Sequence, residues 1–523
     1  MSVITSFTLE DSAGIERSFP STRPALVCFI KEDCPTCRLV LPVLAAIHDS
    51  LATELDFFII GQTSSGNSRL MSEFDPPFNL LDDSALKVSF TNDIEIVPQV
   101  FLTDSGGHVL VERSGFVREE WQELVAELFE QHAITQHTVE WDSLPSWRPG
   151  CGSLSVDPLH AERLQAEAEN SPIRARRIEM GSQDDEFEFM FDQGFTDGLP
   201  VIPPTPQRVL SMLQGTSLDP QEVIAIMPPN MAKVTVEKVA INAVMAGCRP
   251  EYLPVVMAAV DAVCTDEFNI HGVMATTMGA SPVMIVNGPI RHLLKMNMGL
   301  GALGQGNRAN ATIGRALRLV IRNVGGAKPG GTERSTFSNP MKFTMCFAEW
   351  EERSCWDPFH VDRGFDANDS VVTTLAMSAG PTLILDETTT EAPVLAAAIG
   401  EATKGMFNAN WYASSNCLMV VSPEHNDVFK RGKVSKSALR RDIQKASEKS
   451  VQELIQGPSA SPEQLAGLAQ LPADRRIGKF GAEDHIEIVV AGSEAGKCTA
   501  FFHGWIPRSM GSIPVSRKID DYM

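Results

Sequence analysis

Positive charge is scarce in this chain: 44 Lys and Arg stand against 66 Asp and Glu, a formal net charge of −22 over 523 residues. Binding a phosphate backbone or an anionic lipid surface needs a basic footprint, so nucleic acid and membrane are excluded as main partners. Any anionic ligand must be met by a local basic site. Long hydrophobic runs are missing as well. No apolar stretch approaches a membrane span, and Met1-Ser2-Val3-Ile4-Thr5-Ser6-Phe7 lacks the charged and apolar regions of a signal peptide. The ten cysteines are scattered, mostly within apolar segments, which excludes a disulfide scaffold and sets the expectation of a reducing cytoplasm. A second Cys-x-x-Cys is absent, so the one at 34–37 lacks the other half of the usual zinc pattern. What remains is an ordinary globular composition, 43% hydrophobic and 21% charged. The length allows roughly two to four domains and leaves the oligomeric state open.

The chain is organised around Cys34-Pro35-Thr36-Cys37. Residues 24–30 read as a buried strand, and the apolar periodicity through Leu41, Val43, Leu44 and Ile47 reads as a helix, so both thiols fall at a strand-to-helix junction. Unpaired N–H groups and the positive end of the helix dipole favour a thiolate there. Cys34 is the expected nucleophile and Cys37, one turn on, closes a ring with it. Glu32 and Asp33 stand beside Cys34 and oppose thiolate formation. Val97-Pro98 leads into a strand and offers a cis proline, Pro98, to face the pair. A turn at 104–107, a strand at 108–111 and an amphipathic helix at 119–132 complete the unit. Cys34-Pro35-Thr36-Cys37, Pro42 and Val97-Pro98 together resemble the thioredoxin fold, in the branch that begins with a hairpin, here from Phe7 to Gly14. The resemblance implies a redox domain over 1–132. It departs at Asp33, where many thioredoxins carry Trp.

From 133 to 186 the periodicity fades, predicting a linker with one short helix near 159–169. Within it, Cys151 sits between Gly150 and Gly152 in a loop. Such a thiol is either a tethered exchange partner for Cys34, a visitor to a second site, or an incidental cysteine in a turn.

A larger α/β domain is expected over 187–523, with a mixed or parallel sheet built on strands at 282–286, 381–386 and 417–423. Helices are expected at 207–214, 236–247 and 250–264, strands at 485–490 and 499–503, and a tail at the end. Asn287, Asp386 and Ser422 stand at strand ends, where ligands tend to bind. The glycine-rich run 298–306 precedes a helix starting near Asn310, an arrangement able to bind an anion through Arg308, Asn310, Thr312 and Arg315, with Asn287 as a further substrate contact. The other reading is a flexible loop whose arginines pair with surface acids. Residues 345–360 combine Glu349, Glu351, Glu352, Cys346, Cys355 and His360 with aromatic neighbours. Glu349, Glu351 and His360 are the acid–base candidates; the cysteine and histidine spacing matches no standard zinc pattern, and no metal is expected.

With those residues in view, 187–375 resembles the C-terminal part of the UGSC family, bacterial selenoproteins named for a selenocysteine/cysteine-Gly-Ser-Cys motif. The resemblance rests on Phe195-Thr196-Asp197-Gly198-Leu199-Pro200, Thr235 to Ala240, Ala246 to Tyr252, Val286 to Ile290, Ala309 to Arg315, and Phe347 through Glu349, Glu351 and Arg353 to His360. Cys151-Gly152-Ser153 is followed by Leu154 and is not equated with the motif. The resemblance implies a redox module feeding a common partner domain. The expected activity is a thiol-dependent oxidoreductase that reduces a small anionic substrate, or reductively removes its leaving group. It would use no firmly bound cofactor, only an external thiol reductant of thioredoxin or glutathione type. Persulfide sulfur transfer, a protein-disulfide reductase or chaperone, and a carboxylate-based hydrolase or lyase are the alternatives.

Overall fold

The computed structural model describes residues 2–132, 134, 139–168, 171–178, 180–181, 185–405, 412–457, 461–507 and 511–523. They form two compact units, Met1–Ile178 and Glu179–Met523.

The first unit opens with a hairpin of β1 (Phe7–Glu10) and β2 (Glu16–Phe19), whose Phe7 and Phe19 stack on each other and meet Phe58 edge-on. β3 (Ala25–Ile30) follows, buried at all six positions, then α1 (Pro35–Leu51). Pro35 starts α1 where a missing N–H costs nothing, and Val40, Leu41, Leu44, Ile47 and Leu51 form its buried stripe. Next come β4 (Asp56–Gly61), α2 (Ser64–Phe74), β5 (Leu80–Asp82), α3 (Lys87–Thr91), β6 (Ile96–Val97), β7 (Gln99–Thr103), β8 (Val109–Ser114), β9 (Phe116–Val117) and α4 (Arg118–Gln131). The sheet order is β5-β4-β3-β7-β8, with β3 parallel to β4 and antiparallel to β7. A continuous apolar strand occupies the centre because both its faces are covered. This is a thioredoxin-like fold, and the Val97-Pro98 peptide is cis.

Within the stretch read as a linker, β10 (Trp147–Arg148) pairs with β9, β11 (Cys151–Gly152) pairs with β6, and α5 spans Pro158–Ala168. Residues 139–168 fold onto the first unit because polar groups there find fixed partners. Gln62, buried, donates to Ser153 Oγ at 2.6 Å and accepts from Leu154 N–H at 3.0 Å, while Ser155 donates to Ile94 O at 2.9 Å. Residue 133, the expected start of the linker, and 169, the expected end of its helix, lie outside the described residues, whereas Glu186, its expected last residue, begins the helix Glu186–Asp192.

The second unit is built on a seven-stranded mixed sheet. From one edge the strands are Cys346–Ala348, Ser281–Asn287, Val371–Leu385, Cys498–Gly504, Cys417–Val421 and Ile486–Val490, with Val515–Lys518 also paired to Val371–Leu385. Two pairs are parallel, 281–287 with 346–348 and 417–421 with 486–490. The strand expected at 381–386 is the far end of a fifteen-residue strand. The final residues, read as a tail, supply the strand Val515–Lys518; Arg517 pairs with Asp261 at 3.1 Å and Ile519 is fully buried. The helices Val236–Ala246 and Arg308–Asn323 are joined by Asn323 donating to Asn242 at 2.9 Å, and Gly247, at φ +89°, ends the first of them in the left-handed conformation.

Candidate functional site

Cys34 is the N-cap of α1, and its Sγ accepts the Cys37 N–H at 3.4 Å. Cys37 Sγ in turn accepts the Lys31 N–H at 3.4 Å, and Cys34 Sγ lies 3.4 Å from Val97 O, next to Pro98. The pairing of β11 with β6 sets Cys151 opposite Val97, the residue whose carbonyl faces Cys34, so a third cysteine joins the neighbourhood of the pair. All three thiols are free. Hydrogen bonding from Cys37 first, and from Cys151 and the N–H groups of Cys37 and Thr36, outweighs burial and brings the Cys34 thiol down to about 5. Burial and the neighbouring Cys34 push Cys151 up to about 11, and Cys37 rises well above the ordinary range for the same two reasons. These shifts favour the anion at Cys34 and the protonated thiol at Cys37 and Cys151. The expected opposition from Glu32 and Asp33 is overcome, and both carboxylates are paired elsewhere, with Arg69 at 3.0 Å and Lys31 at 3.5 Å.

Residues 147–153 pack as a strap against this centre. Thr36 donates to Pro149 O at 2.6 Å, and Ser153 N–H donates to Glu95 O at 2.8 Å. Gly150 runs so close to β6 that a Cβ there would lie 2.3 Å from Ile96 Cγ2 and 2.8 Å from Val97 O. Beneath this strap Cys34 and Cys37 have no exposed surface, whereas Cys151 is partly exposed.

In the second unit, Asn287 at the end of one parallel strand and Glu349 after the end of its neighbour come side by side. Asn287 donates to Glu349 at 2.6 Å and to Glu351 at 2.9 Å, and Glu349 also accepts the Phe359 N–H at 2.7 Å. Glu351 further accepts the Gly288 N–H at 2.8 Å, and His360 Nδ1 is 3.9 Å from it. Arg291, almost fully buried, binds Glu351 at 2.7 Å, Glu352 at 3.0 Å and the Glu349 carbonyl at 2.8 Å. Asn287, Glu349 and His360 are completely buried, yet Asn287 Oδ1, Glu349 Oε1 and both His360 ring nitrogens have no hydrogen-bond partner among the described residues. Orphaned polar atoms are costly in an interior, and four together make this cluster a candidate site. Burial pushes Glu349 up to about 7, only partly offset by Lys436 and the two donors. Although burial opposes it, Arg291 and His292 hold Glu352 down at about 2. Two neighbouring carboxyls are thus poised at opposite ends of the acid–base range.

A cavity of about 560 Å³ is lined by Lys430, Lys433 and Lys436 against Asp357 and Asp362, with Cys355 and Trp356 in its wall. Lys436, buried, is paired with Asp362, while neither Lys430 nor Lys433 takes part in an ion pair among the described residues. Among those residues no group of three or more His, Cys, Asp or Glu is placed to hold a metal ion.

The arginines beside the glycine loop are used internally. Arg315 makes two bonds to Asp197, at 2.8 and 3.0 Å, and reaches the carbonyls of Leu199 and Pro200. Arg308 donates to Gly247 O at 2.9 Å. Asn310 staples the loop by binding Asn297 and Ala302 carbonyls, and Thr312 donates back to Arg308 O at 2.8 Å. These four side chains do not converge on a common point, and the helix is capped by Asn307. The cationic cavity lies elsewhere, at Lys430, Lys433 and Lys436. Sequence reasoning missed Arg291 and Lys436; the signal for the first was its position in Gly288-Pro289-Ile290-Arg291-His292, just past a strand end.

No protein-family model matches the chain, nor does any curated protein. Solved structures similar to its N-terminal region include StoA from Bacillus subtilis, 18% identical over 23% of this chain and 99% of that one, with a TM-score of 0.21. The thioredoxin domain of a thiol-disulfide oxidoreductase from Bacteroides vulgatus is 17% identical over 24% of this chain and 95% of its own, with a TM-score of 0.22. A secreted Mycobacterium tuberculosis disulfide oxidoreductase homologous to E. coli DsbE is 17% identical over 23% and 95%, with a TM-score of 0.21.

Proposed function

We propose that the chain is a cytoplasmic thiol-dependent oxidoreductase whose first unit performs thiol–disulfide exchange. The observation that carries this reading is Cys34 at the N-cap of α1, its sulfur accepting from Cys37 one turn away. The Cys34 thiolate attacks one sulfur of an oxidised substrate; the other sulfur leaves as a thiolate and takes a proton, and a mixed disulfide remains. Cys37 then attacks Cys34, the substrate leaves as a thiol, and Cys34–Cys37 becomes a disulfide. Part of what keeps Cys37 protonated is the charge on Cys34, and that charge is gone in the mixed disulfide, so Cys37 becomes reactive when it is needed. A cellular thiol restores the pair.

The second unit, on this reading, holds a small anionic substrate. The unpaired Lys430 and Lys433 around a cavity support an anion, and the orphaned atoms of Glu349 and His360 support proton handling. Both favour a small ligand over a docked protein client. Reductive removal of a leaving group fits: the substrate gains two electrons and a proton, the leaving group departs as an anion, and two thiols become a disulfide. Persulfide delivery uses the same features.

The test is redox titration of the full chain with thiols trapped and mapped by mass, with and without anionic metabolites, for wild type and Cys34→Ser. Metabolite consumption matched one to one by Cys34–Cys37 oxidation is the expected result. Turnover that survives Cys34→Ser overturns it and moves the chemistry to the carboxylate cluster.

A further inference from the structure

We propose that Cys151 is a third catalytic thiol, which takes over the disulfide formed in the buried pair and presents it to the external reductant. This rests on the reading of Cys34 as the nucleophile. Two observations converge on it. The strap is seated by main-chain pairing, with Cys151 in register with Val97, the residue whose carbonyl faces Cys34 at 3.4 Å. And of the three cysteines only Cys151 is partly exposed. A Cys34–Cys37 disulfide under a seated strap is shielded from a bulky thiol, but not from Cys151.

The step balances without any added oxidant. Substrate reaches Cys34 with the strap lifted, and the Cys34–Cys37 disulfide forms. When the strap reseats, the Cys151 thiolate attacks Cys34, the Cys34–Cys37 bond breaks, and Cys37 leaves as a thiolate that takes up a proton. The product is a Cys34–Cys151 disulfide. An external thiol attacks Cys151, freeing Cys34 as its stabilised thiolate, and a second thiol frees Cys151 and departs as a disulfide. Position selects the sulfur attacked in both steps: Cys151 is held beside Cys34 rather than Cys37, and the external thiol meets Cys151, the partly exposed member of the new disulfide. In the fully reduced protein, burial first and the neighbouring Cys34 second push the Cys151 thiol up; oxidation of Cys34 removes the second contribution, while Lys31 still favours the Cys151 anion and Asp33 opposes it. The thiol is therefore more readily ionised when there is a disulfide to receive.

Two measurements on the full chain test this. Cys37→Ser, oxidised with one equivalent of diamide, is expected to yield an intramolecular Cys34–Cys151 disulfide by peptide mapping. In Cys151→Ser, re-reduction of the preformed Cys34–Cys37 disulfide by glutathione is expected to slow by about tenfold or more. Re-reduction as fast as, or faster than, in wild type overturns the proposal and leaves the strap as a cover only; so does a Cys37→Ser protein that oxidises without joining 34 to 151. Exchange activity in Cys34→Ser sinks the underlying reading, whereas an inert Cys34→Ser beside an unaffected Cys151→Ser sinks the relay alone.

Discussion

Thr36, the residue between Pro35 and Cys37, donates its hydroxyl to the carbonyl of Pro149 at 2.6 Å, tying the first turn of the thiol-bearing helix to the strap that covers it. The bond spans 113 residues of sequence. It couples the reactivity of Cys34 toward outside molecules to the position of the strap, because a covered sulfur meets an external reagent only when such bonds are broken.

Thr36→Val removes the donor, and the carbonyl of the exposed Pro149 turns to water, at a net cost of about 0.5–1.5 kcal/mol. Gly150→Ala forces a methyl into Ile96 and the Val97 carbonyl. Both substitutions are expected to speed alkylation of Cys34 by N-ethylmaleimide, read by mass, by about three- to tenfold for Thr36→Val and by more for Gly150→Ala. Unchanged rates in both would show that the strap is not the barrier.

Ultraviolet absorbance of the reduced protein is expected to report one thiolate titrating near 5 and absent in Cys34→Ser. In Cys37→Ala the midpoint moves up toward the ordinary value of 9.0, because the strongest hydrogen bond to the sulfur is lost. The folded value lies below the unfolded one, so the stability contributed by this thiolate is complete above pH 9 and is lost as pH falls toward 5. Chemical denaturation across that range is expected to show a loss on the order of a few kcal/mol that Cys34→Ser abolishes.

Glu349 behaves in the opposite sense. Its carboxyl is raised from 4.5 to about 7, so the protonated form belongs to the folded state. Stability from this group is complete below pH 4.5 and falls as pH rises through 7. An infrared carbonyl band titrating near 7 is expected, and Glu349→Gln removes both the band and the slope. A carboxylate spectrum unchanged down to pH 5 contradicts the assignment.

For the cationic cavity, inorganic phosphate or citrate is expected to slow N-ethylmaleimide labelling of Cys355 by about fivefold, and Lys430→Ala with Lys433→Ala to abolish the protection. Both lysines are exposed, so the double variant keeps its fold. Equal labelling with and without either anion removes the support for an anionic substrate in the second unit.

Arg315→Lys tests the other assignment of basic residues. A lysine cannot reproduce the two-pronged bond to Asp197 and the two carbonyl contacts, so a fall in thermal stability of the second unit is expected, with anion protection of Cys355 intact. Loss of protection without loss of stability would return the anion to the glycine loop.

The sequence by itself determined the local chemistry. Cys34 at a strand-to-helix junction, the helix started by Pro35, the hairpin before it and the strand after Pro98 follow from periodicity and from caps between neighbours, interactions that close within a turn or two. Glu349 and His360 were also legible, as titratable groups crowded into one apolar segment. The tertiary structure alone decided which distant groups meet. It brought Cys151 to Cys34, set Asn287 beside Glu349 across 62 residues, and consumed Arg315 on Asp197 across 118. The glycine loop and its arginines look like an anion site only while the partners of those arginines are unknown. A charged side chain is functional or structural according to what the folded chain places opposite it, and that pairing depends on long-range closure, which no local pattern encodes.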